Sequence, residues 1–250
     1  MFHLIIIVNA KKAVVSVSNE KEFLDGILLV NDTSVDEIIL NIKEATVTIN
    51  DPLYIDITTH NITIVGDSKE FSILRFKNVT EGLHISNVLD DSSGQVTLVN
   101  CTYYGHLDIY GTRYAMFNNS IFYGSLYTDR ISEESTGFFD PFAYREDCRK
   151  TFVGFYNFNF TAMLDPASSQ RHDAVQIVGH SEIIDSSFKG SFFCEDSVVN
   201  FEASGCYKLY VKNSIFDGMN ANTCLTTKGT PSAQVYSSTF INGGGYCEGG

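Results

Sequence analysis

The residues best suited to chemistry lie near position 175, where Arg171-His172-Asp173 is followed by Gly179-His180. Imidazole and carboxylate groups are common general acids and bases. An inverting glycosidase needs two carboxylates about 6.5–9.5 Å apart, and a polysaccharide lyase needs a base beside a cationic group or Ca²⁺. If the protein is an enzyme, Arg171, His172, Asp173 and His180 are the candidate catalytic residues, with Ca²⁺ as a cofactor only for a lyase. The alternative is a solvated turn without chemistry.

A second candidate region extends from about residue 127 to residue 170 and interrupts the surrounding pattern with aromatic and charged side chains. Long irregular segments in compact domains are often functional. Aromatic rings beside arginines can form a platform for sugars, and the alternative is a loop that packs against the flank of the protein. The candidate glycan-binding residues are Phe138, Phe139, Tyr144, Arg145 and Arg149.

These residues need a framework, and a loose repeat indicates what it is. Asn119-Ser-Ile-Phe-Tyr-Gly124 matches Asn213-Ser-Ile-Phe-Asp-Gly218, and further copies begin at Asn100, Asp185 and Ser237. The copies begin 19, 66, 28 and 24 residues apart, and 66 residues is about three repeats if one carries an insertion. In each copy we expect the Asn or Asp to stack on its neighbour at a turn, the aromatic residue to enter the core, and the glycine to adopt a positive φ.

Repeats of this length and composition predict an all-β protein, a right-handed parallel β-helix. The alternative, a β-sandwich, would need frequent two-residue turns of the Asn-Gly or Asp-Gly type. Only three such pairs occur, at Asp25, Asp217 and Asn242. The β-helix is therefore the favoured fold.

One domain is predicted over residues 17–250, with a capping helix over about 19–29 and the insertion over about 127–170. Asn19 is a suitable N-cap with Glu22 three residues later, and the apolar residues that follow share one helical face. Those residues are Phe23, Leu24, Ile27 and Leu28. Residues 1–16 contain a short apolar run without a basic start, which predicts either an atypical signal peptide or an N-terminal strand. The chain stops at Gly250 directly after a repeat, which predicts an uncapped end; a longer repeat protein, a truncated product and pairing with a partner all remain open.

The capping helix, the strand Asn61-Ile-Thr-Ile-Val-Gly66 and the Asn-Ser-x-Phe-x-Gly repeats resemble the pectin-lyase-like superfamily of right-handed β-helices. The resemblance covers nearly the whole chain but rests on repeat signatures, not on catalytic ones. Residues 171–173 and 179–180 resemble segments of polygalacturonases, but His172 stands where that family has Asp and Ser181 stands where it has Gly. Residues 238–246 resemble the repeats of polymorphic outer-membrane-type surface proteins, which implies a cell-surface location.

Charge and composition narrow the possible partners and locations. The net charge of −13 disfavours nucleic acids and anionic membrane surfaces. After the first ten residues no segment approaches the 18 apolar residues of a membrane-spanning helix. Six Asn-x-Ser/Thr sequons favour an extracellular or cell-surface glycoprotein. They lie at Asn31, Asn61, Asn78, Asn100, Asn118 and Asn159.

The six cysteines include no C-x-x-C pair, so their spacing predicts no metal site. Cys224 and Cys247 are 23 residues apart, close to one repeat, which makes them the best candidate disulfide. Free buried thiols are the alternative.

The leading functional hypothesis is a non-catalytic, secreted or cell-surface β-helix with an adhesion or scaffold role and no cofactor. Its expected partner is a carbohydrate or another surface protein. The alternative is a carbohydrate-active enzyme, a polysaccharide lyase or glycoside hydrolase of the pectin-lyase-like type.

Overall fold

The computed structural model describes residues 11–57, 61–86, 94–110, 112–128, 152–163, 173–192, 197–202, 207–229 and 232–244. These residues form an all-β structure with a single α-helix, α1 (Glu20–Ile27), followed by a 3₁₀ turn (Leu28–Asn31). The strands are β1 Lys12–Val17, β2 Glu37–Ile42, β3 Thr46–Ile49, β4 Leu53–Asp56, β5 Asn61–Gly66, β6 Ile73–Phe76, β7 Gly82–Ser86, β8 Gln95–Val99, β9 Thr102–Tyr110, β10 Tyr114–Asn118, β11 Ile121–Thr128, β12 Phe152–Tyr156, β13 Asn159–Ala162, β14 Val175–Val178, β15 His180–Ile184, β16 Ser187–Lys189, β17 Ser197–Glu202, β18 Lys208–Lys212, β19 Ile215–Asp217, β20 Thr223–Lys228, β21 Ser232–Tyr236 and β22 Thr239–Ile241.

The strands pair in parallel and form three faces around one core. Face 1 is the nine-stranded sheet β1-β2-β5-β8-β10-β12-β15-β18-β21. Face 2 is the ladder β3-β6-β9-β11-β13-β16-β19-β22, and face 3 is the ladder β4-β7-β9-β11-β14-β17-β20. The long strands β9 and β11 belong to both faces 2 and 3. From β2 onward the chain visits the three faces in order and then repeats, so the structure is consistent with an all-β solenoid.

Columns of equivalent residues fill the core, because parallel register places the same position of each turn above its neighbour. On face 2 this column is aromatic, with Tyr103 stacked on Phe122 at 4.8 Å between ring centroids and Phe188 on Phe216 at 5.4 Å. On face 3 the column is aliphatic. It consists of Leu53, Leu83, Leu107, Leu126, Val175, Val199 and Leu225. The prediction that the repeat aromatics enter the core is confirmed.

The turn between faces 1 and 2 is built by the Asn or Asp that opens each repeat. These residues adopt a positive φ, 47° at Asn119 and 51° at Asn213, which Asn tolerates better than most residues. Their side chains stack as predicted: Asn119 Nδ2 donates to Asn100 Oδ1 at 2.9 Å, and Asn157 Nδ2 donates to Asn119 Oδ1 at 2.7 Å. The polar residue therefore carries the unusual backbone conformation itself.

The repeat glycines differ from the prediction in two of the four copies. Gly105 and Gly124 have positive φ values of 145° and 150°, but Gly190 and Gly218 do not have positive φ. At these two positions close packing requires glycine, because a Cβ would lie 2.3 Å from Asn222 Oδ1 at Gly190 and 2.4 Å from Asn222 O at Gly218. The expectation of a positive φ was therefore wrong for Gly190 and Gly218.

The serine that follows the turn residue has a role that the sequence did not indicate. The Ser214 hydroxyl is buried, donates to Lys212 O at 2.9 Å and accepts from the backbone N–H of Ser186 at 3.2 Å. Ser186 makes the same pair of bonds one turn earlier, with Ile184 O and Phe158 N. Each serine thus satisfies two backbone groups that the turn leaves out of the sheets.

The N-terminal helix agrees with the prediction at its start and departs from it at its end. Asn19 Oδ1 accepts from Glu22 N at 3.0 Å, and Glu22 Oε2 accepts from Ser18 N at 2.7 Å. Phe23 and Ile27 are buried, and α1 contacts β1, β2 and β3. Leu28 is 60% exposed, because the α-helix ends at Ile27 and the chain continues as a 3₁₀ turn.

The long gap in the repeat contains two turns of the solenoid, where we expected about three. Asn157 is the missing turn residue, with a φ of 48°, and Phe160 stacks on Phe122 at 5.6 Å. Strands β12 and β13 lie inside the stretch predicted as an insertion and pair regularly with their neighbours. Strand β1 pairs with β2, while residues 1–10 lie outside the described residues. No helix of the described chain is long and apolar enough to cross a membrane.

Candidate functional site

A groove runs across the outer side of face 1, over strands β12, β15, β18 and β21, and has a volume of about 290 Å³. We refer to it as the face 1 groove. It lies on the outer side because the residues that line it alternate along each strand with buried ones. The side chains that give it its chemistry are Phe152, His180, Glu182, Lys208, Tyr210 and Gln234.

A glycine helps to shape the face 1 groove. Gly154 is the register partner of Glu182, and a Cβ at Gly154 would lie 2.6 Å from the ring of Tyr156 and 3.0 Å from that of Phe152. The two aromatic rings therefore lie close to the bare backbone of Gly154. The Tyr156 hydroxyl donates to Glu182 Oε2 at 2.6 Å. Burial raises the pKa of Tyr156, and the hydrogen bond to the Glu182 carboxylate raises it further, so this hydroxyl stays a donor at neutral pH.

The charged end of the groove is held by backbone contacts. His180 begins β15, and its Nδ1 accepts a hydrogen bond from the backbone N–H of Lys208 at 3.2 Å. Its ring meets the buried ring of Tyr207 edge-on at 5.4 Å. The groove thus combines flat apolar rings with a carboxylate, an ammonium group and an imidazole.

A second concentration of chemistry lies on the outer side of face 3. The register places Tyr54, His84, Asp108 and Tyr127 in one column, which we call the outer column of face 3. His106 precedes Asp108 by two residues on β9 and therefore projects on the same side of the sheet. Leu107 between them belongs to the core column.

Asp108 lies at the centre of this cluster. Its Oδ2 is 3.3 Å from His84 Nδ1 and 3.8 Å from His106 Nε2. The residue is only 5% exposed, and its Oδ1 is buried without a hydrogen bond of normal geometry from a described residue. Burial alone would raise the pKa of Asp108, but hydrogen bonds from His106, His84 and, to a smaller extent, Tyr110 outweigh it and hold this pKa below its ordinary value. The carboxylate is therefore ionised at neutral pH.

The structure places the predicted catalytic residues Asp173 and His180 on different faces. Asp173 Oδ1 accepts from Ser197 N at 3.0 Å, and its Oδ2 accepts from Asn200 Nδ2 at 2.6 Å, so the carboxylate joins neighbouring turns of face 3. His180 lies in the face 1 groove. The other two candidates, Arg171 and His172, lie outside the described residues.

The remaining candidates from the sequence divide between described and undescribed residues. The glycan-binding candidates of the insertion, Phe138, Phe139, Tyr144, Arg145 and Arg149, all lie outside the described residues. So does Cys247, and the proposed bridge to Cys224 therefore stays a prediction. Cys224 itself is a free, buried thiol, 3.4 Å from Ile241 O.

The six sequon asparagines are all described, and they differ in exposure. Asn31, Asn78, Asn118 and Asn159 are exposed, which is compatible with glycosylation. Asn100 is half-buried and donates to Gly66 O at 2.8 Å, and Asn61 is half-buried with Oδ1 inaccessible. The last two are the poorer acceptors, because a glycan would have to displace these buried contacts.

Sequence reasoning missed His84, His106 and Asp108, and in the face 1 groove it named only His180. A signal was present at β9, where His106-Leu107-Asp108 alternates polar and apolar residues as a strand does. His84 lies 24 residues before Asp108, which is close to one repeat. The spacing of the turns varies from 19 to 38 residues, and this variation hides which residues become neighbours.

No known protein family matches this chain in sequence, and no curated protein is detectably similar to it.

Proposed function

We propose that the chain is a right-handed parallel β-helix of the pectin-lyase-like type that acts as a non-catalytic glycan-binding protein, extracellular or on the cell surface. The face 1 groove carries this proposal. Ligand sites are concave and mainly apolar, with a few polar groups that orient the ligand, and a volume of about 290 Å³ lies at the lower end of their range. The rings of Phe152 and Tyr210 supply flat surfaces for sugar C–H groups, and Glu182 and Lys208 supply hydrogen-bonding partners for hydroxyls.

The charge of the chain selects among glycans. At a net charge of −13, a polyanionic chain such as a uronate polymer is repelled, while a neutral polysaccharide is not. The parallel strands of face 1 repeat about every 4.8 Å, so an extended chain lying across them meets equivalent positions on successive turns. The proposed ligand is therefore a neutral oligosaccharide or polysaccharide.

The enzyme alternative has less support than the binding role. Both carboxylate oxygens of Asp173 accept hydrogen bonds from neighbouring turns, and the residue lies on a different face from His180. A general acid or base needs free access to its substrate. We therefore favour binding without turnover.

Calorimetric titration of the full chain with neutral hexose oligosaccharides and with oligogalacturonate tests the proposal. We expect saturable binding of a neutral oligosaccharide and none of oligogalacturonate. Tyr210→Ala should weaken binding about tenfold, since an aromatic stacking contact contributes about 0.5–1.5 kcal/mol. Tyr54→Ala is the matched control, because Tyr54 is an exposed aromatic on face 3.

Three results would contradict the proposal. One is the absence of binding by every neutral oligosaccharide, and another is an equal loss of affinity in the Tyr54→Ala control. The third is release of reducing ends or unsaturated products by the wild-type chain, abolished by Asp173→Ala.

A further inference from the structure

The cluster on face 3 has the composition of a metal site. Two imidazoles and one carboxylate form a common donor set for zinc and for other divalent first-row metals. Calcium and magnesium instead prefer sites made entirely of oxygen ligands. His84, His106 and Asp108 each offer one ligand atom, and these atoms all lie within 4.8 Å of one another.

The distances are close to those that a metal ion requires. Tetrahedral zinc holds its nitrogen and oxygen ligands at about 2.0–2.2 Å, which places any two ligand atoms roughly 3.3–3.6 Å apart. His84 Nδ1 is already 3.3 Å from Asp108 Oδ2, and His106 Nε2 is 3.8 Å from the same oxygen. Closing the site therefore takes side-chain adjustments of less than about 1.5 Å, without movement of the strands.

The rings are also held in place from behind. His106 Nδ1 is 2.7 Å from Ser125 Oγ, which directs Nε2 towards Asp108; ligating histidines commonly have such a partner on the second nitrogen. Tyr54 stacks flat on His84 at 4.5 Å between centroids, and Tyr127 meets His106 edge-on at 5.0 Å. Little conformational freedom remains for the two imidazoles to lose on binding.

Asp108 gives an independent indication of a ligand. It is a carboxylate 95% removed from solvent, since its exposed fraction is 5%, and its Oδ1 accepts no standard hydrogen bond from the described residues. A buried polar atom without a partner is costly and calls for an explanation. With neutral imidazoles the three side chains carry a net charge of −1, which a divalent cation would offset.

We propose that His84, His106 and Asp108 bind one divalent transition-metal ion of the zinc class, with at least one coordination position left for water or an external ligand. The site is separate from the face 1 groove, so it stands or falls independently of glycan binding. It joins β7 to β9, which are adjacent turns of the solenoid.

Titration of the chelator-treated full chain with Zn²⁺, and separately with Co²⁺, tests this proposal. We expect one ion per chain, a rise in the thermal unfolding midpoint, and the visible absorption of a low-symmetry Co²⁺ site with nitrogen and oxygen ligands. His106→Ala should abolish all three signals. Ser125→Ala should weaken binding about 10–100-fold, because it removes only the group that orients His106. Mg²⁺ and Ca²⁺ should give none of these signals.

His180→Ala is the matched control, because it removes an imidazole from face 1, and it should bind Zn²⁺ like the wild type. If Asp108→Asn fails to fold, His84→Gln replaces it, since His84 is partly exposed. The proposal is overturned if Zn²⁺ and Co²⁺ do not bind saturably, or if one equivalent still binds after both His84→Gln and His106→Ala. It is equally overturned if His180→Ala removes the binding.

Discussion

The inner and outer columns of face 3 are made by the same strands in the same register, yet they follow opposite rules. The inner column repeats one kind of residue, from Leu53 through Leu107 to Leu225. The outer column changes at nearly every turn, with an exposed tyrosine at Tyr54, an imidazole at His84 and a buried carboxylate at Asp108. Stacking of like residues therefore marks positions that the fold requires. A column without repetition marks positions that are available for chemistry.

The largest test of this difference is Phe188→Ala, which interrupts the aromatic column of face 2. Phe188 is 1% exposed and packs between Phe160 and Phe216. We expect a loss of about 3–5 kcal/mol in the free energy of unfolding, measured by urea denaturation. Phe240→Ala is the control at the last described turn, where the ring is 44% exposed, and it should cost clearly less. Equal losses would mean that stacking along the column does not determine stability.

Ser214→Ala tests whether the buried hydroxyls of the turns are equally structural. It leaves the N–H of Ser186 without its acceptor and the Lys212 carbonyl without that donor. An unsatisfied buried group costs about 1–3 kcal/mol, so we expect a loss in that range. Ser187→Ala is the control, because its hydroxyl bonds only to the exposed side chain of Asn159, and it should stay within about 0.5 kcal/mol. Indistinguishable variants would contradict the role given to Ser214.

A buried thiol in the core makes stability depend on alkaline pH. Burial raises the pKa of Cys101 to about 12, so the folded state favours the neutral thiol. The stabilisation is fully present below about pH 8.5, the unfolded value, and is lost as the pH rises towards the folded value. We expect the free energy of unfolding to fall by up to about 1.4 kcal/mol per pH unit above pH 8.5. Urea denaturation between pH 7 and pH 10 should show a shallower slope for Cys101→Ala than for the wild type; equal slopes would refute the assignment.

The smallest effect is expected in the outer column. Tyr54 is 76% exposed, and Tyr54→Ala should change the free energy of unfolding by no more than about 0.5 kcal/mol. The same variant should nevertheless alter Zn²⁺ affinity, because the ring of Tyr54 stacks on His84. A large loss of stability would remove the distinction between the two columns.

Local patterns in the sequence predicted local structure well. The Asn19 cap, the Asn-Ser turns and the inward aromatics depend on interactions within a few residues or on a repeat that is visible in the chain. The parallel stacking of strands was predicted for the same reason.

The candidate sites were harder to predict because they depend on register between turns. His84 and Asp108 become neighbours only if the 21 residues between β7 and His106 close one turn without adding another, and the turns differ widely in length. The face 1 groove likewise depends on Gly154, which has no signature of its own. Hydrogen bonding explains the misjudged Asp173, whose neighbours Ser197 and Asn200 are more than 20 residues away in sequence.

The two strands that pass from face 2 to face 3 without a break affect how the solenoid can open. In a repeat architecture each turn is coupled mainly to the turns beside it, so local unfolding can spread like a fault along a one-dimensional lattice. At β9 and β11 two faces are covalently continuous and must open together, which raises the free energy of local opening there. Amide exchange should therefore be slowest around these strands. His106 and Asp108 lie on β9, so a ligand bound there would be attached to the part of the molecule that opens least.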